Sequence, residues 1–290
     1  MMRWAARRSV VAACLLTLLG CTSLHLTAPA RGGAGTPAEE IDDLLTLSGL
    51  SKQIELIPST IQSKFAQHQQ NLPHTLRPQN SHRLLTILTE AYNPSDFRQS
   101  IVDYFAAHYN RDRVQAELRI LRSPLNQKLM RLDEQASTPD ALEEIKAIAR
   151  KLESEPPAPE RMALIRTFDR VSGSTDLGVD LYVSTSMTVI STFNAASPKG
   201  NRLTQAQLDD LSDQLRKEVR DPIDRLTTAT LLYMFRATPD AEIRQCIVLY
   251  ENDTAEWFNQ IVKDALIGAM VTATEKASRE ISTLSSEQTT

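Results

Sequence analysis

The chain has 290 residues, of which 41% are apolar, 5% aromatic and 23% charged, and it carries a formal net charge of −4 at pH 7. Its nine glycines are about 3% of the chain against a usual ~7%, which argues against Gly-rich phosphate loops, propellers, β-sandwiches and collagen-like repeats. Helices are the natural remainder, and the expected fold class is all-α.

In chain order, Arg3, Arg7 and Arg8 form a basic flank before residues 10–19, an apolar run interrupted only by Thr17. A helix that spans a bilayer needs ~20 apolar residues. Residues 1–20 therefore read as an export signal that is removed, and not as a permanent membrane segment. Leu18-Leu19-Gly20-Cys21 closes the run. These four residues resemble the lipobox of bacterial lipoproteins, although Leu19 stands where that family more often has Ala or Ser. The resemblance implies cleavage before Cys21, diacylation of its thiol and usually acylation of the new amine. The alternative is an ordinary secretory signal with an incidental cysteine. Arg7-Arg8 is followed by Ser9-Val10-Val11, a poor match to twin-arginine export, so the general secretory route is expected. Thr22 stands where an Asp would, by resemblance to enteric lipoproteins, imply retention in the inner membrane; the implied address is the periplasmic face of the outer membrane. Cys21 is thus the expected lipidation site, and the membrane partner is engaged through acyl chains. One chain binds marginally at ~0.8 kcal/mol per buried CH₂, whereas two or three hold stably.

Removing residues 1–20 takes away three arginines and no acids, leaving 29 basic and 36 acidic residues, a net charge of −7. That balance argues against nucleic acid and anionic lipid surfaces as partners. Cys14 leaves with the signal and Cys21 goes to lipid, so Cys246 stands alone and no internal disulfide is expected. It lies between Ile243 and Ile247 at helical spacing, which reads as a small buried hydrophobe, the alternative being a nucleophile awaiting a base.

Residues 21–35, with Arg31-Gly32-Gly33-Ala34-Gly35, are too poor in apolar surface to order themselves and read as a flexible tether. The folded part begins at Thr36-Pro37-Ala38-Glu39, a capping box with proline at the first helical position. The same punctuation recurs at Asn93-Pro94, Ser123-Pro124, Thr138-Pro139, Asp221-Pro222 and Thr238-Pro239, each predicting a helix start. Pro58 lies inside the apolar spacing Ile54, Ile57, Ile61, Phe65 and predicts a kink or break. After Thr138, Leu142, Ile145, Ala149 and Leu152 form one stripe; after Thr204, Leu208, Leu211, Leu215 and Val219 form another. Residues 176–193, rich in Val, Thr and Ser, suit a strand by propensity, while Leu177, Leu181, Ser184 and Thr188 sit at helical spacing. A last long helix starts near Asp253.

Ser154-Glu155-Pro156-Pro157-Ala158-Pro159 reads as a semi-rigid linker. The expected organisation is a helical unit at 36–153, a linker at 154–160, a second helical unit at 161–285 and a disordered tail at 286–290. At an offset of 128, Glu90-Ala91-Tyr92-Asn93-Pro94-Ser95-Asp96 falls on Glu218-Val219-Arg220-Asp221-Pro222-Ile223-Asp224, and Asn110 falls on Thr238. This suggests a decayed internal duplication. Leu121-Arg122-Ser123-Pro124-Leu125-Asn126-Gln127-Lys128-Leu129, preceded by a helix-forming stretch over 101–109, resembles the domain of unknown function numbered 2059. That family is found in exported bacterial proteins; the resemblance implies a helical fold and no established activity. The family usually shows aromatic residues before Ser-Pro and a glycine before Gln-Lys, where Leu121, Arg122 and Asn126 stand here, and the second half has Glu251-Asn252 in place of Ser-Pro.

Motifs of catalysis are missing from the sequence: there is no His-Glu-x-x-His, Gly-x-Ser-x-Gly, phosphate loop or paired Cys-x-x-Cys. Gly173, within Val171-Ser172-Gly173-Ser174, reads as the end of one helix and Ser174 as the start of the next element. His68, His74 and His82 fit no compact metal site, and Asp42-Asp43 diverge around a helix instead of forming a dyad. No catalytic residue, cofactor or metal is assigned. In the last helix Trp257, Phe258, Ile261 and Val262 are followed by Gly268, Ala269, Ala273 and Ala277, either a core face or a docking face for a partner. The expectation is a lipid-anchored envelope protein that binds or scaffolds other envelope proteins, with self-association left open. The alternatives are a carrier that encloses an apolar small ligand and an envelope hydrolase assembled from distant acids or histidines.

Overall fold

A computed structural model describes residues 35–71, 81–197 and 199–287. The signal, Cys21, the tether up to residue 34, His74 and residues 288–290 lie outside the described residues. Among the described residues there are twelve α-helices, one 3₁₀ turn and no strand, so the protein is all-α. The helices are α1 (Pro37–Leu47), α2 (Leu50–Asn71), α3 (Ser81–Ala91), α4 (Pro94–Ala107), α5 (Arg111–Leu121) and α6 (Pro124–Ala136). They continue with α7 (Pro139–Lys151), α8 (Pro159–Ser172), α9 (Ser174–Ala196), α10 (Gln205–Met234), α11 (Asp240–Tyr250) and α12 (Asp253–Glu287).

Local chemistry sets most of the starts. The Thr36 N–H donates to the Glu39 carboxylate at 2.9 Å while the Thr36 hydroxyl accepts from the Glu39 N–H, closing the box. Asn93 accepts from the Ser95 N–H at 2.8 Å, Ser123 from the Asn126 N–H at 3.2 Å and Thr138 from the Ala141 N–H at 3.3 Å. Each such cap satisfies a donor that the first turn leaves orphaned, typically worth ~1 kcal/mol.

Three local signals are overruled by packing. α2 runs on without a break through Pro58, where a kink or break was expected, and α10 runs on through Pro222, where a helix start was expected. An interior proline costs roughly 3 kcal/mol. Ile54, Ile57, Ile61 and Phe65 are nonetheless all buried on the face of α2, and burying one such side chain returns ~1.5–3 kcal/mol. Residues 176–193 fall in α9. Its threonines are tolerated in the interior because their hydroxyls donate back along the helix: Thr185 to the Leu181 carbonyl, Thr188 to that of Ser184 and Thr192 to that of Thr188.

The run at 154–159 forms the turn between α7 and α8, yet the cores cross it. One core is built from α1 to α5 together with α9 and α12. A second is built from α6, α7, α8, α10 and α11, and a small third joins Val179 and Val183 of α9 to Val219 and Ile223 of α10. Both larger cores therefore draw on residues 36–153 and on 161–285, and only the small third one lies within a single span. The small residues of α12 explain how it is taken in: Ala265, Ala269, Ala273 and Ala277 are all buried and let its axis approach α3, α4 and α9.

The order of elements repeats. α1, a left-handed glycine and the long α2 are answered by α8, a left-handed glycine and the long α9. Gly49 (φ 76°) and Gly173 (φ 67°) are the only residues with positive φ among those described. At a shift of 124, the buried Ile41, Leu44, Ile57 and Phe65 fall on the buried Ile165, Phe168, Leu181 and Val189. From α4 onward a shift of 129 superposes buried faces: Phe97, Ile101 and Phe105 fall on Leu226, Thr230 and Met234, and Val114 and Leu118 on Ile243 and Ile247. The same shift carries Leu129, Ala136 and Ala141 onto Phe258, Ala265 and Met270. The faces thus align one residue away from the 128 that aligns the cap and proline motifs. At this shift α6 and α7 fall on α12, but they pack differently: α12 packs on α3 and α4, while α6 and α7 pack on α10.

Candidate ligand cavity

Where the two halves meet, the first turns of α2 and α9 come together beside α6 and α10. Gln53 and Leu177, equivalent at the shift of 124, both border a cavity of about 220 Å³ there. Its walls are mainly Leu177, Leu181, Ile223, Leu226, Leu231 and Met234, and its polar groups come from Gln53, Asp133, Thr227, Thr230 and the serines flanking Gly173. An apolar wall with a few convergent polar groups is the usual character of a small-molecule site. Two wider clefts, of about 490 and 570 Å³, are lined chiefly by charged and polar side chains and open to water.

The corner at Gly173 is built by its own side chains. The Asp169 carboxylate accepts from the Thr175 N–H at 2.9 Å and from its hydroxyl at 2.8 Å, and the Ser172 and Ser174 hydroxyls lie 2.7 Å apart. The left-handed conformation at Gly173 ends α8 and starts α9 within a single residue. Most hydroxyls at the cavity are therefore engaged: Thr230 donates to the Leu226 carbonyl at 2.9 Å. Asp133 differs, since neither of its carboxylate oxygens has a hydrogen bond or ion pair with a described residue. Burial, with the neighbouring Glu134 charge as a smaller cause, pushes its carboxyl up to about 7. Glu134 itself is held by Lys52 from α2 at 3.1 Å.

Behind Asp133 lies a buried polar cluster between α5, α6 and α11. The Tyr250 hydroxyl donates to the Asn126 side-chain oxygen at 2.6 Å, and the Asn126 amide donates to the Leu121 carbonyl at 3.1 Å. Glu117 is 1% exposed, has one carboxylate oxygen without a partner, and is pushed up to about 7 by burial. Burial raises the Tyr250 phenol as well, with Glu117, Cys246 and Asp133 adding to it. The Cys246 thiol is pushed up to about 11, first by burial and then by the Glu242 charge. It is a protonated, buried side chain at neutral pH, which fits the packing reading and not that of a nucleophile.

The sequence-level candidates are not brought together. Half-buried His68 packs against the Phe193 ring at 4.8 Å, and burial lowers its imidazole below the ordinary value. His82 is exposed at the start of α3. Among the described residues no group of three His, Cys, Asp or Glu side chains is placed to hold a metal. Asp42 and Asp43 pair separately with Arg98 and Arg122. On α12 the face is core and the docking alternative falls: Met270 is 1% and Ala273 6% exposed, covered by the chain itself.

Asp133 and Glu117 escaped the sequence reading. Both read as ordinary helix charges, but Glu117 stands among Val114, Leu118 and Leu121, and Asp133 follows Leu129 by four. A carboxylate on the apolar stripe was the signal.

The chain matches no protein-family model, no curated protein and no solved structure.

Proposed function

We propose that this is a lipid-anchored protein of the bacterial envelope, held by acyl chains on Cys21, whose helical body binds a small, largely apolar ligand. The anchor is supported by the basic flank, the short apolar run and Gly20-Cys21. It is compatible with the described residues containing no helix long and apolar enough to cross a membrane. The observation that carries the binding reading is the apolar cavity between the two halves. An apolar hole of about 150 Å³ suffices for benzene, so the space here is of ligand size. The scaffold reading is the weaker one, because the helical face that favoured it is buried within the chain.

We also read the recurring order of helices as a duplicated unit whose closing helices exchanged places, leaving a seam at which the cavity lies. Two experiments test the function. Cys21→Ala should move the protein from the membrane fraction to the soluble fraction, and retention in the membrane would refute the anchor. A panel of neutral aromatic and alkyl probes should raise the melting temperature, more so as probe volume approaches that of the cavity; no response to any of them would refute the carrier.

A further inference from the structure

We propose that the cavity takes a small hydrophobic primary amine whose ammonium group pairs with the Asp133 carboxylate. This rests on the reading of the cavity as a ligand site and adds the chemical class.

Asp133 is the one wall residue that carries a charge, and no described residue pairs with it. A half-buried carboxylate that borders an apolar cavity without a partner is best matched by a cation with donors to spare. The surroundings point the same way. Glu134 on the same helix and Glu117 on α5 add carboxyl groups, the neutral Tyr250 and Cys246 on α11 add no positive charge, and the nearby Lys52 and Lys128 pair with Glu134 and Glu242. An ammonium has three donors; the Asp133 carboxylate, the Gln53 amide oxygen and the Thr227 hydroxyl, all on the wall, supply acceptors of the right kind. A carboxylate ligand would meet repulsion from the same group. The remaining wall of leucines, Ile223 and Met234 suits an aryl or short alkyl body, and the volume suits roughly eight to twelve non-hydrogen atoms, somewhat more than the benzene that fills ~150 Å³.

The test is calorimetric titration of the membrane-extracted, full-length mature protein at pH 8 with three probes of matched shape: 2-phenylethylamine, neutral 2-phenylethanol and anionic 3-phenylpropanoate. The amine should bind at least tenfold more tightly than the alcohol, and the acid should give no heat. Asp133→Asn should bring the amine down to the affinity of the alcohol and leave the alcohol within about twofold. Thr227→Phe, which fills the space, should abolish both. Equal affinity of wild-type protein for amine and alcohol would overturn the amine proposal and leave the cavity reading standing. Failure of both to bind would overturn the cavity reading and the proposal with it. If Asp133→Asn does not fold, the comparison of amine with alcohol on the wild-type chain decides.

Discussion

Tyr92 shows how single residues tie this molecule together. It is fully buried, and its hydroxyl lies 2.8 Å from the Thr188 hydroxyl, 2.7 Å from that of Thr274 and 3.0 Å from the Met270 carbonyl, joining α3, α9 and α12. Burial lifts the phenol to about 12, so it stays a neutral donor. Tyr92→Phe should cost about 1–2 kcal/mol in chemical denaturation, since it leaves the threonine hydroxyls short of a partner. Glu117 and Asp133 act in the opposite sense. Both are pushed up to about 7, which means that folding favours their protonated forms. The stability this protonation gives is complete below the ordinary carboxyl range, near pH 4, and is lost as pH rises toward 7; above that it stays constant. For Glu117, raised from 4.5 to about 7, the loss is about 3 kcal/mol at ~1.4 kcal/mol per unit. Glu117→Gln should therefore reduce the pH dependence of the unfolding free energy between pH 5 and 7, leaving the part that Asp133 contributes, and stabilise the protein at pH 8. A variant as pH-dependent as the wild type would place the titration elsewhere.

At the scale of elements, what the sequence discloses is what is decided locally. The caps at Thr36, Asn93, Ser123, Thr138 and Thr204 are legible because the side chain and the N–H it serves are two or three residues apart. Pro222 misleads as a helix start, and Pro58 does not break α2, because their cost is outweighed by faces that only tertiary packing buries; in α9 the helical spacing prevails over strand propensity because its threonines satisfy themselves within the helix. Asp133 was illegible for a related reason: α6 alone does not say that α9 and α10 will close over it. The left-handed corners give a matched pair of tests. A Cβ at Gly173 would meet nothing within 4 Å, so Gly173→Ala should show only the conformational cost, about 1 kcal/mol. A Cβ at Gly49 would lie 3.1 Å from the Met130 methyl, so Gly49→Ala should cost more in the same thermal denaturation assay. Equal losses at the two corners would mean that Met130 yields freely.

For the whole molecule the decisive feature is that its cores cross between halves. Neither half buries its apolar faces alone, because α6 and α7 are covered by α8, α10 and α11, and α12 by α3, α4 and α9. No periodicity within one helix reports which distant helix will cover it, so the all-α class was readable while the pairing of helices across the chain was not. Unfolding should accordingly be a single transition with coincident fluorescence and circular dichroism midpoints. Residues 36–153 and 161–287 expressed separately should remain unfolded until mixed; a stable, cooperatively melting half would contradict the shared cores.

The most direct test of the anchored-binder account is the mass of the protein extracted from bacterial membranes, recorded first under native and then under denaturing conditions. The denatured mass should equal the chain from Cys21 onward plus two or three acyl chains, and the native mass should exceed it by one small organic molecule. A chain without acyl groups, together with identical masses in the two states, would contradict it.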